Sequence, residues 1–354
     1  MTGLLAYSGI TAKIQAMESK LIQEDRLREM ASLDSVPQAL EYLKRQPAYE
    51  GIFDDMEQQP HRGEIEQRLL LSKYRDFAKL YRFSQASQRH FLDLYFLHYE
   101  IAVLKRCLRC VLDHRPVDLD LSMFQSFFEK HSGLDLIRLS SAADMQEFVA
   151  GLEGSVFYRL LTQLAAGGKA TLFDYELNMD LLYFRTMWKA AGSLSRKEER
   201  ILTRCLGTRL DMLNIQWIYR SKKYYPLPPA DIYSLLIPVQ HRLKKEELQK
   251  LASASGLSEF FAALKSTAYS SLSQAELEDG RNLEDLCTEA LDRIYRITSR
   301  RQPYSIASLN SYLYFKEEEI QKIITVIEGI RYGLGADTIC SYVIKNERRA
   351  RRHD

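Results

Sequence analysis

Apolar residues recur three and four positions apart along most of the chain. Ile10, Ile14, Met17 and Leu21 form one such stripe, Leu177, Leu181, Phe184 and Trp188 a second, and Ile320, Ile323, Ile327 and Ile330 a third. The interval follows one face of a helix with about 3.6 residues per turn, so each stripe predicts an amphipathic helix packed on one side. No run alternates between apolar and polar for long enough to make a half-buried strand, and the predicted fold class is all-α. Ser195-Arg-Lys-Glu198 has capping-box spacing, which predicts a helix start there, because both side chains can satisfy amides that lack partners in the first turn.

Proline sets the punctuation. The chain has nine prolines, and none falls between Pro116 and Pro226. Arg115-Pro116-Val-Asp and Tyr225-Pro226-Leu-Pro228-Pro229 read as linkers, since a proline disfavours helix at the residue before it. They cut the chain near residues 118 and 229 into three pieces of similar length: 1–118, 119–228 and 229–354.

Those pieces resemble one another. Each has an apolar stretch that ends in a tyrosine: Ala48-Tyr49 with Ile52, Phe157-Tyr158 with Leu161, and Ala268-Tyr269 with Leu272. Each then has a helix bearing a tyrosine, Tyr74, Tyr183 and Tyr295, and a later helix led by an acid, at Glu100, Asp211 and Glu319. Arg109 and Arg220 stand at matched positions five residues after Leu104 and Ile215, where the third piece has Glu328. The unit is longer than a solenoid repeat, whose period is about 20 to 50 residues, so the pattern predicts a helical domain present in three copies around a pseudo-threefold axis. Arg109 and Arg220 are candidates for pairing between helices or with a partner.

Composition narrows the function classes. Hydrophobic residues make up 46% and charged residues 27%, as in a folded globular chain. Lys plus Arg at 49 against Asp plus Glu at 47 leaves a formal charge of +2, so no nucleic acid is expected as partner. Phe91 to Leu112 is apolar enough to resemble a membrane span, but Asp93, Glu100, Lys105, Arg106 and Arg109 are costly in hydrocarbon, so it reads as a core helix. The N-terminal residues lack a basic segment and a cleavage-like site, so secretion is not expected and the chain reads as cytosolic or peripheral. Five cysteines without framework spacing read as thiols in a reducing compartment. The basic tail from Lys345 to Asp354 reads as a solvated end, or as a dock for an acidic partner or an anionic membrane surface.

No catalytic, cofactor-binding or metal-binding residues are assigned. Cys107-Leu-Arg-Cys110 is the only CxxC, and the other cysteines are too scattered to complete a zinc site. Gly167-Gly168-Lys169 resembles a phosphate loop, but Gln163 stands where glycine is required and Ala170 where a hydroxyl would bind magnesium, so a helix-ending turn is expected. Gly333-Leu-Gly335 lacks the preceding strand of a dinucleotide site. The seven histidines show neither HExxH nor a pairing with cysteine.

The segment Tyr312-Leu-Tyr-Phe-Lys-Glu-Glu-Glu-Ile-Gln-Lys-Ile-Ile-Thr-Val-Ile-Glu328-Gly329-Ile-Arg331-Tyr332-Gly333-Leu334 resembles the C-terminal signature of the C subunits of V-type and A-type rotary ATPases, which are relatives of the eukaryotic V-ATPase d subunit. Phe173-Asp-Tyr-Glu176, Asp180-Leu-Leu-Tyr183-Phe184 and Asp211-Met-Leu-Asn214-Ile215 are similar to the middle unit of that family. The chain departs from the family pattern at Glu328-Gly329-Ile330, where Arg-Gly-Lys is usual, and at Lys322, where Asn is common. The resemblance implies a funnel of three helical lobes with no catalytic role and no cofactor. One end would take the central shaft of the soluble ATPase head, and the other would rest on the membrane rotor ring at the cytoplasmic face of an energy-transducing membrane. Torque passed between them would serve H⁺ or Na⁺ transport or ATP synthesis. The alternative is a helical scaffold or adaptor unrelated to rotary motors.

Overall fold

The computed structural model describes residues 2–56, 60–114, 122–225, 227–276 and 282–344, and every regular element among them is helical. In chain order the helices are α1 (Thr2–Glu18), α2 (Glu24–Ala31), α3 (Val36–Lys44), α4 (Arg62–Phe83), α5 (Ala86–Leu112) and α6 (Ser122–His131). They continue with α7 (Leu136–Ser140), α8 (Met145–Ala150), α9 (Tyr158–Ala166), α10 (Leu172–Ala191), α11 (Arg196–Tyr224) and α12 (Pro229–Leu235). The last are α13 (Lys245–Ser253), α14 (Leu257–Leu264), α15 (Leu283–Arg301), α16 (Ile306–Arg331) and α17 (Ala336–Val343). The linker at Arg115-Pro116 with the cut near 118, Pro226, and the basic tail all lie outside the described residues. Pro228 and Pro229 are described. Pro229 opens α12 at its first turn, where the missing amide of proline has no helical partner to lose.

The chain divides into two compact units. One is Met1–Gln85 with Tyr295–Asp354; the other is Ala86–Ile294. In the first, α16 is the central helix, with α1, α2, α3, α4 and α17 against it. Ile320, Ile323, Ile327 and Ile330 are buried as their spacing predicts, and they share a core with Leu27, Met30, Leu43, Tyr49, Phe53 and Leu69 from the opposite end of the sequence. Ile10, Ile14 and Met17 of the first stripe are also buried, whereas Leu21 lies past the end of α1.

Two glycines of the Glu-Gly-Ile-Arg-Tyr-Gly segment have structural reasons. At Gly333, φ is +68° and the Leu334 amide donates to the Gly329 carbonyl at 2.9 Å, while Gly333 N–H donates to Ile330 O at 3.0 Å. This is the left-handed helix stop that glycine adopts without a steric penalty. At Gly329, a Cβ would lie 2.6 Å from Ile339 Cγ1, so the absence of a side chain lets α17 lie against α16. Gly329→Ala is therefore expected to destabilise the first unit by about 1–3 kcal/mol through overpacking. Ile339→Ala in the same chain should return part of that loss, read as the urea midpoint of the far-ultraviolet helix signal.

In the second unit, α10 packs against α5, α9 and α11, and α11 against α12, α13 and α14. The buried line on α10 is Tyr175, Met179, Tyr183 and Met187, together with Leu181. Leu177, Phe184 and Trp188 of the predicted stripe are only half-buried. Three neighbours cover α10 from several sides, so the most apolar stripe in its sequence is not the face that is most enclosed. The core around α11 joins Ile215, Ile218, Leu251, Phe260, Leu264 and Cys287. α11 begins where its capping residues predict: Ser195 Oγ accepts from Glu198 N–H at 3.4 Å and donates to the Glu198 carboxylate at 3.0 Å. α5 is buried along much of its length, and no described helix is long and apolar enough to cross a membrane.

Candidate functional site

The three matched acids, expected to lead their helices, lie instead in the interiors of α5, α11 and α16; all are buried, and each ties its long helix to a small group of short helices. The first unit shows this most fully. Glu319 on α16 accepts from Ile22 N–H at 2.6 Å, just before α2, and from Tyr49 OH at 2.9 Å. Lys316 Nζ, only 1% exposed, lies 2.7 Å from Glu319 Oε2 and 3.8 Å from Asp76 Oδ2, and sits 4.5 Å over the Tyr49 ring. Tyr312 OH donates to Asp76 at 2.6 Å. Burial, then the adjacent Glu319 charge, push the Tyr49 phenol well above its usual range, so it stays a hydrogen donor.

In the second unit, Asp211 on α11 accepts from Arg242 N–H at 2.9 Å, Leu243 N–H at 3.1 Å and Tyr269 OH at 2.7 Å. Burial raises its pKa, while these three donors oppose the rise. Leu243 stands just before α13 as Ile22 stands just before α2. The acids therefore do one job: they satisfy the amides at the entry of a short-helix lobe and hold the tyrosine that closes it. The lobes run from residues 22 to 53 and from 243 to 272.

The third acid, Glu100 on α5, accepts from Ser132 Oγ, and Ser132 Oγ accepts from Leu134 N–H at 3.0 Å. Leu134 stands just before α7 at the head of a lobe covering residues 134 to 157. The buried ring in its closing turn is Phe157, 1% exposed, while Tyr158 is 37% exposed and begins α9. The repeat tyrosine is thus displaced by one position, and a phenyl ring without a hydroxyl takes its place. The helix tyrosines of the repeat, Tyr74, Tyr183 and Tyr295, are all buried.

The matched positions five residues past the apolar landmark make ion pairs between helices. Arg109 lies 2.9 Å from Glu176 of α10, Arg220 lies 2.5 Å from Glu284 of α15, and Glu328 lies 3.4 Å from Arg62 of α4. The sign change at Glu328 is matched by a reversed partner. Each pair joins two long helices: α5 to α10, α11 to α15, and α16 to α4. Arg109 and Arg220 are over half exposed, so each pair contributes at most about 1 kcal/mol and serves register more than stability.

A cavity of about 120 Å³ in the first unit is lined by Lys20, Glu50, Ser72, Arg75, Asp76 and Lys79 among others. No histidine or cysteine lines it, and Lys79 is held by Asp76 at 2.9 Å. Cys107 is buried, and burial pushes its thiol up to about 12, which leaves no thiolate at neutral pH. Cys110 is half-buried one turn away on α5. Gly167 caps α9, and Gly168 has φ +63°, the helix-ending turn expected there. Among the described residues, no group of three or more His, Cys, Asp and Glu side chains could hold a metal.

Reading the sequence alone misses Ser132, Lys316, Asp76 and Tyr312. Lys316 and Glu319, one turn apart at the two ends of the charged run Lys-Glu-Glu-Glu, were the available signal, but their partners lie near the other end of the sequence. The sequence profile of the family described as ATP synthase (C/AC39) subunit matches residues 10–342. The C subunit of the A-type ATP synthase of Methanocaldococcus jannaschii is 21% identical over 96% of this chain and 87% of its own. That of Thermococcus kodakarensis is 23% identical over 95% and 90%, and that of Pyrococcus horikoshii 24% over 90% and 84%.

Proposed function

The chain belongs to the ATP synthase (C/AC39) subunit family, and we propose that it is the non-catalytic central-stalk subunit of a V/A-type rotary ATPase. In this reading it couples the central shaft of the soluble head to the membrane rotor ring, at the cytoplasmic face, for transport of H⁺ or Na⁺ or for ATP synthesis. Three domains, 1–118, 119–228 and 229–354, stand around a pseudo-threefold axis as a funnel. The observation that carries this reading is the cyclic order of the ion pairs, Arg109–Glu176, Arg220–Glu284 and Glu328–Arg62. A repeat that pairs with its successor, the last with the first, is what a closed ring of domains requires. Such a ring offers an axial socket for a helical shaft. Close-packed helices with buried polar ties suit a part whose task is to pass strain without yielding.

The test is recovery from native membranes with an affinity tag on this chain. Shaft, catalytic-head and rotor-ring proteins should be found together by mass spectrometry. Their absence, from membranes shown to hold the intact complex, would overturn the rotor assignment and favour a helical scaffold.

A further inference from the structure

Of the three lobes, the middle one is tied differently. The first closes on Glu319, which takes an amide, a phenol and the ammonium of Lys316. The third closes on Asp211, which takes two amides and a phenol. Glu100 takes the Ser132 hydroxyl alone among the described residues, and Ser132 stands between it and the Leu134 amide that heads the lobe. Local geometry confirms that Phe157 occupies the tyrosine position. Its amide donates to Ser155 Oγ at 3.3 Å, as the Tyr269 amide donates to Thr267 Oγ1 at 3.1 Å. Phe157 brings no donor. We propose that the middle lobe, residues 134–157, is the lobe that opens, and that ionisation of Glu100 releases it as pH rises.

The surroundings of Glu100 support this. It is 7% exposed. Phe96, one turn earlier on α5, packs with Phe127, Phe128 and His131 of α6, next to the half-buried Ser132 in the sequence. His131 is held toward its neutral form by burial. From α7 and α8, Arg138 and Glu147 face solvent. From α10, Asp180 and Glu176 are engaged by Lys105 and Arg109 farther along α5. Among the described residues no cation therefore compensates a charge on Glu100, and burial raises its pKa to about 7. A raised carboxyl favours the closed lobe at low pH, where it is protonated in both states. That contribution falls away as pH climbs from the ordinary carboxylate range through about 7. The inference concerns the fold of this chain and does not depend on the rotor assignment.

Hydrogen exchange of the full chain, followed by mass spectrometry at about pH 6 and about pH 8 and corrected for intrinsic amide chemistry, tests it. Peptides from 134–157 should show an opening constant roughly tenfold larger at the higher pH, while those from 22–53 and 243–272 hold steady. Glu100→Gln should remove the pH dependence. Phe157→Tyr, which restores a donor, should reduce it and serves as the independent arm if the first variant does not fold. Equal protection at both pH values, parallel loss in all three lobes, or an undiminished response in both variants would overturn the proposal.

Discussion

Replacing Glu319 with alanine is expected to lower the stability of the first unit by about 3–5 kcal/mol, the cost of leaving a buried cation without its partner. Lys316 is 1% exposed, and its next anion, Asp76, is 3.8 Å away and already engaged by Tyr312 and Lys79. The same change strips acceptors from Tyr49 OH and Ile22 N–H. Both tryptophans, Trp188 and Trp217, lie in the other unit, so the loss should appear in hydrogen exchange of residues 22–53 and in the far-ultraviolet signal while tryptophan fluorescence stays unchanged. Replacing Lys316 and Glu319 together with methionine and leucine should recover the part of the loss that comes from the unpaired ammonium, because that desolvation penalty leaves with the charges, while the unpaired Tyr49 hydroxyl and Ile22 amide keep their cost. A single variant that costs less than about 1 kcal/mol would show that the ion pair does not hold the lobe.

Asp211→Ala is the second large effect, and it falls in the other unit. Asp211 has no solvent exposure, and its removal orphans the amides of Arg242 and Leu243 and the hydroxyl of Tyr269. Leu243 N–H and Tyr269 OH are the buried donors among these, and each one left unpaired costs about 1–3 kcal/mol, so a loss of about 2 kcal/mol or more is expected. Trp217 packs against the same core and supplies a fluorescence signal for it. Asp211→Asn keeps an acceptor oxygen and should cost clearly less. If alanine and asparagine cost the same, the amide and phenol bonds are not what Asp211 contributes.

Gly207 shows how much of the second unit depends on what faces a position. A Cβ there would lie 2.4 Å from His241 Cγ, yet nothing around Gly207 in the sequence distinguishes it from a poor helix residue. The cost of a side chain is set by the loop that carries His241 against α11. The stripe of α10 teaches the same lesson, because how deeply each side of that helix is covered depends on helices remote in sequence.

The helical class, the cap at Ser195, the turn at Gly167 and Gly168 and the recurring acid and tyrosine landmarks were legible in the sequence, because each follows from periodicity or from bonds spanning a few residues. The sequence profile of the family matches for the same reason: spacing survives where identity falls to about a fifth. Which acid meets which tyrosine was decided only by the tertiary structure. Tyr49 closes on Glu319 and Tyr269 on Asp211, across repeat boundaries, and Phe157 replaces the tyrosine one residue away in the middle lobe. Local sequence carries the propensity of each helix, but pairing between distant helices depends on shape and buried charge, which arise only once the two ends of the chain fold into one core.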